Sequence, residues 1–236
     1  MKLSLIVPMY NEISIIEHTV HVYADYLGKT FSDWELIFVD DGSVDGSAAA
    51  VEAVHAPNTR VISYQPNRGK GNAVKTGMLA AAGDIAMFLD ADIAYGTEVI
   101  ERAAKLMEEH PEASLVIGSR PLHPEGYAGY TFIRKLASKI YIKVLNVAGG
   151  FKLSDSQCGC KAYRGPAAHE IFSRVETNGF AFDFETLLWA QKLGYGIVEM
   201  PVKIVNHRES KVNVVRDTFR MLKELRAMKQ RIRKAQ

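Results

Sequence analysis

Cross-links are scarce in this chain. Its 236 residues include two cysteines, Cys158 and Cys160, one residue apart, so no disulfide can close a long loop and a disulfide framework is excluded. A reducing, cytoplasmic setting is expected. The pair is not half of a zinc site either, because no nearby Cys or His pair completes a first shell. The seven histidines show no His-x3-His spacing, and a lone His such as His207 reads as structural, so acyl transfer by a nucleophile triad is not supported. Long hydrophobic runs are missing too. The apolar start at Met1–Pro8 passes at once into turn chemistry, too short for a signal peptide or a membrane span. No transmembrane segment is expected, and any membrane attachment would be peripheral. Internal repeats, low-complexity tracts and clear linkers are also lacking.

Net charge is small, at +2, but unevenly distributed. Residues 203–236 hold eleven Lys or Arg against three Asp or Glu. Two readings fit that tail: a solvated helix face, or attraction to anionic lipid at roughly 1 kcal/mol per basic residue near such a surface.

What is present, 47% hydrophobic and 24% charged residues, is the composition of an ordinary globular domain that buries a core unaided. Short apolar, β-branched or aromatic runs at Leu3–Pro8, Trp34–Asp40, Arg60–Tyr64 and Ile85–Leu89 alternate with helical-period stretches near 12–28, 45–55 and 71–82. Such alternation predicts βαβ units and a mostly parallel sheet flanked by helices. A helix at 97–109, a strand at 114–118, a helix at 183–193, a strand at 196–202 and a basic amphipathic helix from about 213 to 233 complete the expectation. The 127–147 stretch, apolar with Arg134, Lys135, Lys139 and Lys143 interspersed, fits a helix packed on the sheet or one lying on a membrane surface.

Ligands of such sheets sit at the carboxyl ends of the strands, and polar motifs occupy those ends: Pro8-Met9-Tyr10-Asn11-Glu12, Asp40-Asp41-Gly42-Ser43, Asp90-Ala91-Asp92 and Gly118-Ser119-Arg120. Two carboxylates at i and i+2 on extended backbone point the same way, and their hard oxygens suit Mg²⁺ or Mn²⁺ shared with a substrate's phosphates. Asn67-Arg68-Gly69-Lys70-Gly71-Asn72 precedes a helix, where glycines would let backbone N–H groups approach an anion and Lys70 would add a charge. It matches neither the dinucleotide fingerprint nor a Walker loop. A Gly-rich turn capping the helix fits the segment equally.

Taken in order, these motifs resemble the GT-A glycosyltransferases of family 2. The later Asp155-x-Gln157-Cys158-Gly159, Phe182-Asp183-x-Glu185, Glu199-x-Pro201-Val202 and Ser210-Lys211-Val212-Asn213 look like the dolichyl- or polyprenyl-phosphate hexosyltransferases, particularly the glucosyl branch. The resemblance covers essentially the whole chain. It implies a Rossmann-like GT-A domain over 1–212, with 213–236 as the C-terminal helix. It implies an inverting transfer of hexose from UDP-glucose or GDP-mannose to a lipid phosphate. Pro8, Tyr10, Asn11, Glu12, Asp40, Asp41, Lys70, Asp90 and Ala91 would hold the nucleotide, and Asp90 and Asp92 the Mg²⁺ or Mn²⁺. Arg120, Arg134, Ser138, Gln157, Arg208 and Lys211 would surround the acceptor phosphate and sugar, with Asp92, Arg120, Arg134 and Asp183 as the catalytic set. Many mannosyl-transferring relatives place Gln two residues after the second Asp; here Ala94 stands there, which argues against mannose and implies either weaker metal binding or a metal leaning more on Glu12, water and the diphosphate. A family 2 enzyme acting on a saccharide hydroxyl, with Asp183 or Glu185 as general base, is the alternative; a non-enzymatic nucleotide-sugar binder is a third. The expected partners are the nucleotide sugar, the lipid phosphate and an anionic membrane surface at its cytoplasmic face, not nucleic acid, with homo-oligomerisation open.

Overall fold

The computed structural model describes residues 1–130, 142–147, 149–206, 225 and 227–234. Arg134, Ser138, Arg208 and Lys211, and most of the expected C-terminal helix, lie outside the described residues. Among the described residues, seven strands form one sheet: β1 (Leu3–Met9), β2 (Trp34–Asp40), β3 (Thr59–Ser63), β4 (Ile85–Leu89), β5 (Ala113–Ser119), β6 (Cys160–Arg164) and β7 (Gly196–Pro201). Their order is β3-β2-β1-β4-β6-β5-β7. The β1, β2, β3 and β4 pairings are parallel, and so is β5 with β7. β6 runs antiparallel between β4 and β5. The chain leaves β1 toward β2 and β3, then returns to place β4 on the other side of β1, so the β1/β4 boundary is the topological switch point where such sheets bind ligands.

β1 and β4 are near-continuous apolar runs because helices cover both of their faces. Helices α1 (Ile16–Thr30), α2 (Ser47–Ala53) and α4 (Glu98–Glu109) lie on one face, where Leu5, Val7, Val20, Tyr23, Leu36, Phe38 and Ile100 form one core. On the other face lie α3 (Lys70–Ala80), α5 (Gly165–Arg174) and α6 (Phe182–Lys192), packing Val74, Phe172, Phe182 and Trp189 against Ile6, Ile37 and Phe88. Leu225, Met228 and Ile232, from the described part of the C-terminal segment, are buried in this second core. The alternation of inward residues along β1 and β2 between the two clusters follows from the twofold strand period.

The sequence expectation omits β6 and α5. Lys161 and Arg164 interrupt the apolar pattern of Cys160–Arg164, yet Lys161 is wholly buried, its amine held by Asp183 and by a backbone carbonyl. The Gly165-Pro166 pair reads as a turn, but Pro is placed in the first turn of α5, where its missing N–H costs nothing. Among the described residues, no helix is long and apolar enough to cross a membrane.

Candidate active site

The Asp-Ala-Asp segment begins where β4 ends, at the switch point, and its backbone is clamped from behind by α1. The Thr19 hydroxyl donates to the Ala91 carbonyl at 2.7 Å and the Tyr23 hydroxyl to the Asp90 carbonyl at 3.0 Å. Burial and the nearby carboxylates of Asp90 and Asp92 push the Tyr23 phenol well above its ordinary range, so it remains a donor at any working pH. Ala91 is buried, and Asp92 accepts the Ala94 N–H at 3.1 Å, an Asx turn that ends the extended run. The chain leaving β7 closes over this turn: the N–H groups of Val205 and Asn206 donate to the Ala94 carbonyl, and the Asn206 amide donates to the Asp92 carbonyl at 2.7 Å. Sequence reading missed Thr19 and Tyr23, whose polar groups on the core face of α1 are the only signal.

Lys70, at the start of α3, pairs with Asp90 at 2.5 Å. Burial works against its charge, but Asp90, Asp183 and Asp92 together raise its pKa. Asp183, in the first turn of α6, is bound through Oδ1 to the buried Lys161 amine at 2.6 Å. Burial raises its pKa against the opposing pull of Lys161 and Lys70. Two lysines and two carboxylates thus form a nearly neutral cluster beside Asp92.

The two loops after β1 and β2 are laced together. Asn11, with a φ of 53°, accepts the Val44 N–H on its side-chain oxygen while its own N–H donates to Ser43 Oγ, and Glu12 N–H donates to Ser47 Oγ. Asp40 accepts the Ser43 N–H at 3.0 Å, Pro8 is buried within β1, and Tyr10 stands 44% exposed at the rim. The structure therefore brings Tyr10, Asn11, Glu12, Asp40, Lys70, Asp90 and Asp92 to neighbouring strand ends.

Asp41 has another occupation. Its carboxylate accepts the Tyr64 hydroxyl, the Asn67 amide and the N–H groups of Arg68 and Gly69, all within 2.9 Å. The N–H groups of Gly71 and Asn72 donate to the Asn178 carbonyl. The expectation that this glycine-rich turn cradles a phosphate on its backbone amides is therefore corrected: four of those amides are already taken, by an internal carboxylate and by a carbonyl. The glycines serve close approach instead. A Cβ on Gly71 would lie 2.5 Å from the Thr177 carbonyl oxygen, and Gly69 has a φ of 103°.

On the opposite wall, Arg120 forms a fork with buried Asp155, Nε to Oδ2 at 2.6 Å and Nη2 to Oδ1 at 3.0 Å, and Nη1 faces the Tyr130 hydroxyl at 3.4 Å. Although burial opposes it, Asp155 holds the guanidinium pKa far above its usual range. Asp155 in turn accepts the Gln157 N–H, and the Gln157 side-chain nitrogen is buried with no hydrogen-bond partner among the described residues. Gly159 runs beside Asp90, where a Cβ would meet its carboxylate. Glu185 is wholly buried and accepts the N–H groups of Glu176 and Thr177, so it is not presented to the cleft as a base. Both cysteines are buried free thiols.

As a cation site, Asp90 and Asp92 offer hard oxygens only. No group of three or more His, Cys, Asp or Glu gathers among the described residues. Such a pair suits Mg²⁺ or Mn²⁺, which complete their shell with water and substrate phosphate, and does not suit an ion that needs an all-protein cage.

The model of Glycosyl transferase family 2 matches residues 4–172. A dolichyl-phosphate beta-glucosyltransferase of Dictyostelium discoideum is 31% identical over 239 residues, covering 94% of this chain and 72% of that protein. One from Trichomonas vaginalis is 31% identical over 223 residues, covering 89% of this chain and 66% of that protein. The chain thus spans about two thirds to three quarters of these relatives. Among solved structures, glucosyl-3-phosphoglycerate synthase from Mycobacterium tuberculosis, in complex with Mn²⁺, UDP and phosphoglyceric acid, superimposes with a TM-score of 0.70 at 19% identity, covering 98% of this chain and 78% of that one; at that identity the likeness shows the GT-A fold.

Proposed function

Because the chain belongs to glycosyltransferase family 2, we propose that it moves a hexose, glucose from UDP-glucose with GDP-mannose as the second candidate, to a polyprenyl or dolichyl phosphate. The observation that carries this reading is the Asp90-Ala91-Asp92 segment, held at the β1/β4 switch point by Thr19 and Tyr23 and neutralised by Lys70. The names of the relatives support the lipid phosphate and the glucose. The neighbour crystallised with UDP and Mn²⁺ agrees with the donor and the metal.

In this reading Tyr10, Asn11, Glu12 and Asp40 line the nucleotide end, with Asp41 acting one step back by fixing the 64–69 turn. Asp90 and Asp92 would hold Mg²⁺ or Mn²⁺, which supplies positive charge to the leaving diphosphate. Lys70 then turns from Asp90 toward a phosphate oxygen. Nothing stronger than a positioned nucleophile is needed, because a phosphate monoester with its second pKa near 6 is already ionised at neutral pH. Attack on the anomeric carbon opposite the leaving group inverts its configuration. The outer edge of Arg120, where Nη1 reaches the Tyr130 hydroxyl, is assigned to the acceptor phosphate with Arg134, Ser138, Gln157, Arg208 and Lys211. The fork to Asp155 keeps that guanidinium oriented, so the wall supplies charge at low entropic cost.

A second reading, transfer to a saccharide hydroxyl, is favoured by one observation: Asp183 is a buried carboxylate with a raised pKa beside Lys70 and Asp90, the property of a general base. The Asp183→Asn variant separates the two. Lipid-phosphate glucosylation should survive in it with a loss below about tenfold. A loss of roughly a hundredfold or more in protein that is still folded, measured below the lowered thermal transition expected when the buried Lys161 amine loses its carboxylate, favours the hydroxyl acceptor.

A further inference from the structure

Glu185 has no access to water, and a buried carboxylate requires charge-paired hydrogen bonding. Its partners are the N–H groups of Glu176 and Thr177 and the guanidinium of Arg231, from the C-terminal helical segment. Arg231 also pairs with Glu176 at 3.2 Å. The 175–178 segment is thereby gripped from one side. From the other side α3 grips it: the Lys75 amine donates to the Val175 carbonyl at 2.6 Å, and the Gly71 N–H donates to the Asn178 carbonyl at 2.7 Å. Lys70 stands between Gly69 and Gly71, the two positions where the 177–178 backbone comes too close for a side chain. Its amine reaches Asp90 from there.

We infer that Arg231 is a positioning residue for the donor site: through Glu185 and the 175–178 segment it presses the start of α3 into the place that aims Lys70 at Asp90. The C-terminal basic segment is then a support of the nucleotide end of the cleft, and whatever loads that segment alters donor binding. The segment is rooted for this task. Leu225, Met228 and Ile232 are buried in the core, and the Lys192 amine donates to the Ile232 carbonyl at 2.5 Å. The inference rests on the donor reading for its consequence, though not for the contacts themselves.

The test uses the full chain and two readouts. Amide hydrogen exchange without nucleotide should accelerate at Gly71 and Asn72 in Arg231→Ala by about tenfold, while amides of α4 are unchanged, and Arg231→Lys should recover part of the protection. UDP binding by calorimetry should weaken about tenfold in Arg231→Ala, in the range usual for coupled sites. Arg164→Ala, which removes hydrogen bonds to the carbonyls of Met107, His110 and Ala113 around the start of β5, serves as the control for general destabilisation and should leave UDP affinity unchanged. Unchanged exchange at Gly71 and Asn72, or acceleration spread equally over α4, overturns the inference. Accelerated exchange with a wild type that binds no UDP upholds the coupling and overturns the donor reading instead.

Discussion

Lys161 is completely buried, and its amine is held by Asp183 at 2.6 Å, by the Cys158 carbonyl at 2.8 Å and over the Phe88 ring. Removing one member of a buried ion pair leaves an uncompensated charge, at a cost of about 3–5 kcal/mol. Lys161→Met should therefore lower the thermal transition steeply, and Lys161→Met with Asp183→Leu should recover most of the loss; equal melting of the single and double variants would contradict the pairing. Cys158 makes a different point. Burial, with Asp155 nearby, pushes its thiol up to about 11, against roughly 8.5 in an unfolded chain. An acid whose folded pKa is raised keeps its proton in the folded state after the unfolded state has lost it, so stability falls as pH rises from about 8.5 toward 11. Cys158→Ala should flatten that decline by about 2–3 kcal/mol across the window, measured by denaturant titration at a series of pH values, and native Cys158 should resist alkylation at pH 8.

At the scale of elements, α1 does more than cover the sheet: it supports the carboxylate loop through Thr19 and Tyr23. Tyr23→Phe removes the donor to the Asp90 carbonyl without changing the packed ring, and should reduce kcat/KM by about two- to tenfold; unaltered kinetics would show that the loop holds itself. The strands β1, β2 and β4 were legible in the sequence because burial on both faces makes them unbroken apolar runs. β6 was not, because its pattern is broken by Lys161, whose compensating partner Asp183 is 22 residues away. The strand-end motifs were legible by residue type and spacing. The partners were not: Asp155 on Arg120, Asp41 on the 64–69 turn and Asn178 on α3 depend on loops meeting in space, and a glycine-rich turn reads the same whether its amides face a ligand or the protein itself.

At the scale of the whole molecule, the mixed sheet sets the division of labour. Parallel β1, β2 and β4 deliver the carboxylates to one edge of the cleft, and β5 delivers Arg120, which meets Asp155 on the chain leading into the reversed β6, on the other. The basic excess of residues 203–236, proposed to meet an anionic membrane, predicts binding to vesicles containing phosphatidylserine that weakens as salt rises from low to about 0.5 M, where the Debye length drops well below 10 Å; equal binding to neutral vesicles would remove that assignment. The central claim is that Asp90 and Asp92 bring a divalent ion to the diphosphate of a nucleotide sugar, beside Lys70. Calorimetric titration of UDP with Mn²⁺ and with EDTA, on the wild-type chain and on Asp92→Ala, tests it most directly. Binding in the wild type should depend on Mn²⁺ and weaken by at least tenfold in Asp92→Ala, with the thermal transition preserved. Binding that is indifferent to both the ion and the substitution would contradict it.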